Sequence, residues 1–151
     1  MTNEFRLATA IFYVSASILL ILVAVIYFIR SVLVDNELRF GDCRLDTEVA
    51  MTDTERATGL ANRPVIASDF AMLFPFNDEK PLFWMKGMLV PIDIVWVDGR
   101  EVVKIDASLP ADDGAAHYYP PQSIDWVVEV AAGRAAECGV KIGSKLYGLS
   151  Y

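Results

Sequence analysis

The sequence predicts a mainly β domain of the α+β class, a compact antiparallel barrel-like sheet with two short helices, preceded by an N-terminal transmembrane helix. Three observations carry that expectation. Residues 7–29 contain no charged side chain. Beyond them, short apolar runs are separated by Gly, Pro and Asp turn signals. Only two stretches, 53–61 and 131–138, carry helix boundaries.

The N-terminal run is long enough to matter. As a helix, 23 residues rise roughly 34 Å, against a hydrocarbon core of about 30 Å. A cleavable signal peptide is the competing explanation, but its apolar region is usually about 7–15 residues long. The small residues Ser15, Ala16 and Ser17 also lie inside this run, where cleavage would leave half of it behind. An uncleaved anchor over residues 1–30 is therefore expected, meeting membrane lipid through residues 7–29. Arg6 and Arg30 bracket it, and the amino terminus adds positive charge to the leading side. That bias favours a single-pass topology with the domain outside the cytoplasm.

Residues 31–43 are expected to be a juxtamembrane connector and residues 44–151 the domain, one hydrophobic core's worth of chain. The whole chain has 13 basic and 20 acidic residues. Setting aside Arg6, Arg30 and Glu4, the part beyond the anchor carries 11 against 19, a formal charge of minus 8. No basic stripe exists to neutralise phosphates, so nucleic acid is not an expected partner. Anionic headgroups would repel such a domain, leaving the helix to hold it at the membrane. Cys43 and Cys138 are too far apart for a CxxC redox or zinc motif. They are either free thiols or one disulfide, the second being compatible with export.

Along the domain, residues 44–51 alternate polar and apolar as a half-buried strand does. Thr52 and Glu55 have capping-box spacing, which starts a helix running to about Ala61 before Pro64. Residues 70–76 and 82–85 read as strands divided by a polar turn ending in Pro81. Residues 92–97 and 100–105 flank Asp98-Gly99, a type I′ hairpin signal. A strand over 124–130, a helix over 131–138 closed by Gly139 and a last strand over 140–147 complete the order.

The run VAMTDTERATGL at 49–60, Arg63, MLFPF at 72–76, FWMK at 83–86, PIDIVWVDG at 91–99 and VVEVAAGRAAECGVKIG at 127–143 stand in an order and spacing that resemble the domain of unknown function 192 family. The resemblance covers nearly all of the chain beyond the anchor. It implies a small strand-rich domain, often secreted or tethered, without an established activity. Members usually have Asn and Thr after Trp-Met-Lys, where this chain has Gly87 and Met88, and Gly-Asp near the end, where it has Gly143 and Ser144.

Lys86 and Asp93 stand out because they sit in the apolar run FWMKGMLVPIDIVWVDG, where an unpaired charge is costly to bury. With Glu55, Arg56, Arg63 and Trp84 they form the candidate ligand-binding set. Each has a structural explanation too. Glu55 suits a reciprocal helix cap, Arg56 and Arg63 suit pairs with neighbouring acids, and Asp93 suits a buried acceptor of backbone amides or a bidentate partner of one arginine. Phe83 and Trp84 would face opposite sides of a strand, one in the core and one lining a surface.

Catalytic signals are weak. His117 lies in an expected loop, and a pair with Cys138 lacks a nucleophile context. Asp112-Asp113-Gly114 lacks the glutamate that closes a calcium loop, and no metal or cofactor is expected. A carboxylate hydrolase acting on an envelope substrate through Glu55 and Asp93 is the enzymatic alternative. The expected function is instead a membrane-anchored domain binding an unknown small molecule or partner protein at a Trp/Lys/Arg/Asp patch. An accessory subunit of a membrane complex is the remaining alternative.

Overall fold

The computed structural model describes residues 13–26, 37–111 and 114–149. It divides into two units, Met1–Asp35 and Asn36–Tyr151. In the first, residues 13–26 form helix α1, with Ile18, Leu19, Leu20, Ile21, Leu22 and Val23 all exposed. Among the described residues no helix is long and apolar enough to cross a membrane. The rest of the expected span, residues 7–12 and 27–29, lies outside the described residues.

The second unit contains eight named strands and two short helices, in the order β1 (Glu37–Phe40), β2 (Cys43–Val49), α2 (Asp53–Thr58), β3 (Phe70–Glu79), β4 (Phe83–Trp84), β5 (Ile92–Asp98), β6 (Glu101–Leu109), β7 (His117–Tyr118), β8 (Ile124–Ala131) and α3 (Arg134–Glu137). Six strands make one sheet in the order β1-β2-β3-β8-β5-β6, and β4 pairs with β7 in a separate ribbon. The fold is mainly β, as expected, but the sheet is mixed and open.

The mixing comes from β2 and β3, which run parallel with Asp46 opposite Phe70 and Val49 opposite Leu73. Their connection, residues 50–69, carries α2, and a connection of this length allows the parallel crossover that a tight hairpin forbids. The barrel expectation fails at the last strand. Residues 140–147 form two isolated bridges, Arg39 to Tyr147 and Glu101 to Lys145, so the tail touches both outer strands while β1 and β6 stay unpaired with each other. Segment Glu37–Phe40, expected in the connector, is strand β1.

Local signals fared differently from one another. The capping box at α2 is complete, with Thr52 Oγ1 accepting from the Glu55 amide at 3.2 Å and Glu55 Oε2 accepting from the Thr52 amide at 2.8 Å. The helix stops at Thr58, earlier than Ala61, with Gly59 as its C-cap. The second helix is likewise shorter, four residues beginning only at Arg134, because β8 continues through Ala131. The β5–β6 hairpin forms, but Asp98 pairs with Glu101, so the two loop residues are Gly99 and Arg100. Of these only Gly99 has a positive φ, +57°, the pattern of a glycine-first type II′ turn in place of type I′.

The central strands β3, β8 and β5 are buried on both faces, and their period of two sorts side chains cleanly. One face carries Leu73, Val95, Val97, Val128 and Val130, packed against Ala135, Cys138 and Leu146. The other carries Met72, Phe74, Ile94, Trp96 and Val127, packed against Leu60, Met85 and Met88. Cys43 and Cys138 are disulfide-bonded, with Cα atoms 5.4 Å apart, tying β2 to the end of α3 on the first face.

The bridge closes a loop spanning 95 residues. In the chain-entropy treatment a loop near that length contributes about 4.7 kcal/mol. Replacing both cysteines by serine is expected to lower unfolding stability by an amount of that order, read as a shift in urea midpoint that reductant reproduces in the unmodified chain.

Candidate functional site

On the second face, the end of α2, the loop after it and the β4 region enclose a cavity of about 210 Å³. Its walls include Arg56, Gly59, Phe76, Leu82, Phe83, Trp84, Lys86 and Glu129. Local sequence explains the placement. The short strand β4 puts Phe83 inward, where its ring meets Phe74, Phe76 and Trp96 edge-on at 5.1, 6.2 and 5.4 Å between centroids. Its neighbour Trp84 turns the other way and stays 47% exposed at the cavity wall. Arg56, on the last turn of α2, lies over the Phe76 ring at 5.4 Å.

Gly87, which follows the exposed Lys86, has a φ of +79°. Glycine adopts that angle freely, so Gly87 suits the backbone at this position. A Cβ at this position would meet Ala61 Cβ at 3.5 Å, in ordinary contact.

Glu129 is the residue that the sequence reading passed over. It lies on β8 opposite Met72 on one side and Ile94 on the other, in the middle of the sheet, and is 5% exposed. The Leu60 amide bonds its carboxylate, but Oε2 has no hydrogen-bond partner among the described residues. Burial pushes its pKa up to about 8, opposed by the Leu60 amide and the charge of Arg63. At neutral pH the carboxyl is mostly protonated and can donate a hydrogen bond. The absence of a side chain at Gly59 keeps Oε2 uncrowded, since a Cβ there would stand 3.2 Å from it. The signal was present in IDWVVEVA, where Glu129 sits inside an apolar run as Lys86 and Asp93 do in theirs.

Of the six expected site residues, the structure brings Arg56, Trp84 and Lys86 to the cavity. Arg63 is not on its wall; it pairs with Glu48 and lies over the Phe70 ring at 5.1 Å. Glu55 is taken up by capping, and the Thr52 amide, with its hydroxyl and the Met51 amide, lowers its pKa. Asp93 is fully buried on the opposite face of the sheet. Its Oδ1 accepts from the Ser108 and Gly133 amides at 2.8 and 3.0 Å, and its Oδ2 from the Ala135 amide at 3.0 Å. It thereby fastens β6, where Ser108 holds a positive φ of 53°, and the start of α3 to β5.

This geometry removes the carboxylate-pair hydrolase. Glu55 stands beside α2 and Asp93 beside α3, on opposite faces, and the oxygens of Asp93 are committed to amides. A Cys and His pair is removed as well, because Cys138 is bridged and His117 sits in β7 opposite Trp84 instead of in a loop. Among the described residues no three His, Cys, Asp or Glu side chains converge as a metal site would need; Asp112 and Asp113 lie outside those residues.

The model of the family DUF192, described as "Uncharacterized ACR", matches residues 37–148. The chain belongs to that family. Among solved structures, the DUF192 domain is similar to a protein of unknown function from Novosphingobium aromaticivorans, 28% identical, with a TM-score of 0.68 over 73% of this chain and 82% of that one. It is also similar to a protein from Sinorhizobium meliloti described as a candidate transcription regulator, 27% identical, with a TM-score of 0.66 over 70% of this chain and 84% of that one. No curated protein matches the chain.

Two measurements follow from the two buried acids. Asp93→Ala strands three buried amides and is expected to cost at least about 3 kcal/mol in urea unfolding. For Glu129 the folded pKa of about 8 exceeds the ordinary 4.5, so the folded state holds the extra proton between those values. Its contribution is complete below pH 4.5 and is lost as pH rises toward and through 8. Glu129→Gln is expected to flatten the decline of the urea midpoint between pH 5 and pH 8.5, and an unchanged slope would contradict the assignment.

Proposed function

We propose that this DUF192 chain is a membrane-tethered receptor domain for a small molecule, which it holds in the cavity between α2 and β4. The observation that carries this reading is Glu129, a buried side chain with an oxygen left unpartnered on the wall of a cavity. Buried polar groups are nearly always hydrogen-bonded, so such an exception asks for a partner from outside the chain. An aromatic wall with a few polar groups is also how small-molecule sites are usually built. The tether rests on the uncharged run 7–29 and on the exposed apolar side chains Ile18, Leu19, Leu20, Ile21, Leu22 and Val23 of α1, a surface unfavourable in water.

A partner protein is the second reading, favoured by the neighbouring open trough where Leu82, Tyr119, Pro120 and Pro121 meet, with Leu82 and Tyr119 more than half exposed. A transcription regulator, as the S. meliloti neighbour is described, fits poorly with the formal charge of minus 8 carried beyond residue 30.

One experiment addresses tether and ligand together. The chain is expected to stay in membranes washed with alkaline carbonate. Denaturing the protein purified from those membranes is expected to release a small molecule detectable by mass spectrometry. Trp84→Ala, at a half-exposed position, is expected to abolish that release while shifting the melting temperature little. Equal recovery from the variant would sink the cavity as the site, and loss of the chain from washed membranes would sink the tether.

A further inference from the structure

We infer that the cavity selects an organic carboxylate with an aromatic or apolar body; the inference rests on the small-molecule reading above and assigns the ligand's class. The described wall residues include two cations, Arg56 and Lys86, and one acid, Glu129. Neither cation makes an ion pair with a described residue, and Arg56 Nε is itself buried without a hydrogen-bond partner. Glu129 does not offset them, because its oxygen is enclosed in the sheet where a charge is poorly solvated. The cavity wall therefore carries net positive charge and presents donors: the Arg56 guanidinium, the Lys86 ammonium and the protonated Glu129 carboxyl. A ligand amine would find no acceptor of matching charge. A ligand carboxylate would find a guanidinium able to bind it with directed hydrogen bonds.

The remainder of the wall sets the body of the ligand. Phe76, Leu82, Phe83, Trp84 and Met88 are apolar or aromatic, and Trp84 offers a half-exposed ring for stacking. A phosphate monoester is disfavoured on the same grounds. A dianion needs more donors than this wall supplies, and the apolar share of the wall would desolvate it without compensation.

Around Glu129 stand the Leu60 amide and the charge of Arg63 from the segment after α2 and the apolar Met72 and Ile94 from the flanking strands, while Arg56 from α2 and Lys86 from the segment after β4 share its cavity wall. As pH rises through about 8, Glu129 gains a negative charge that this set tolerates but a bound anion does not. Carboxylate affinity should fall over that range, and an amine should gain.

The test uses the full chain in non-ionic detergent, following the indole N–H signal of Trp84 by NMR, assigned by its loss in Trp84→Phe. The probes are 3-phenylpropionate, 3-phenylpropanamide, 3-phenylpropylamine and phenyl phosphate. At pH 6.5 the carboxylate is expected to bind at least about tenfold more tightly than each of the others, the equivalent of one charge-assisted hydrogen bond. Its affinity is expected to drop about tenfold by pH 9 in the natural protein and to hold in Glu129→Gln, which keeps a donor and cannot ionise. Tighter binding of the amine, the amide or the phosphate overturns the carboxylate assignment and leaves the receptor reading in place. A Trp84 signal that none of the four probes moves overturns both.

Discussion

Strand β8 is bonded on one side to β3 and on the other to β5, and both of its faces are covered. A polar side chain placed there is largely shielded from bulk water, and that constraint governs the site. Desolvating an ionised carboxylate costs several kcal/mol even after the surroundings relax, so Glu129 holds its proton instead. The outcome is a hydrogen-bond donor where the sequence has an acid. With that proton held, the formal charge on the cavity wall is left to Arg56 and Lys86.

Asp93 on β5 shows the other solution to the same problem. It belongs to the adjacent strand, opposite Val130, one residue along from the pair that includes Glu129. The period of two sends its carboxylate to the other face. There the start of α3 and the positive-φ residue Ser108 of β6 aim three amides at it. The residue is thereby fully occupied in holding β5, β6 and α3 together. Two acids on adjacent strands thus differ in role because one face supplies donors and the other supplies an opening.

The arrangement also divides labour between the two faces. The first is closed by α3, the disulfide between Cys43 and Cys138 and the tail that touches β1 and β6. The second is covered by α2, the loop behind it, the two-residue ribbon of β4 and β7 and the segment that carries Met85 and Met88. Such thin elements cannot pack the whole sheet face. The cavity is the part they leave open, with Gly59 adding space directly above Glu129.

How far this was legible from sequence depended on the range of the forces concerned. The Thr52 and Glu55 cap, the alternation along β2, the hairpin around Gly99 and the opposed directions of Phe83 and Trp84 follow from neighbours a few residues apart. Motif spacing likewise marked Arg56, Trp84 and Lys86. Sheet order followed from no local signal, since Ala71 meets Val130 and Ile92 meets Ala131 through contacts between distant segments. Asp93 was recognised as awkward but not assigned to a face, and Glu129 was missed because its meaning depends on β8 being central. The sequence by itself determined which residues must be buried and which elements they form, because periodicity and capping are local. Only the tertiary structure decided which buried acid would be answered by backbone amides and which would face a cavity, because that depends on what lies across the sheet.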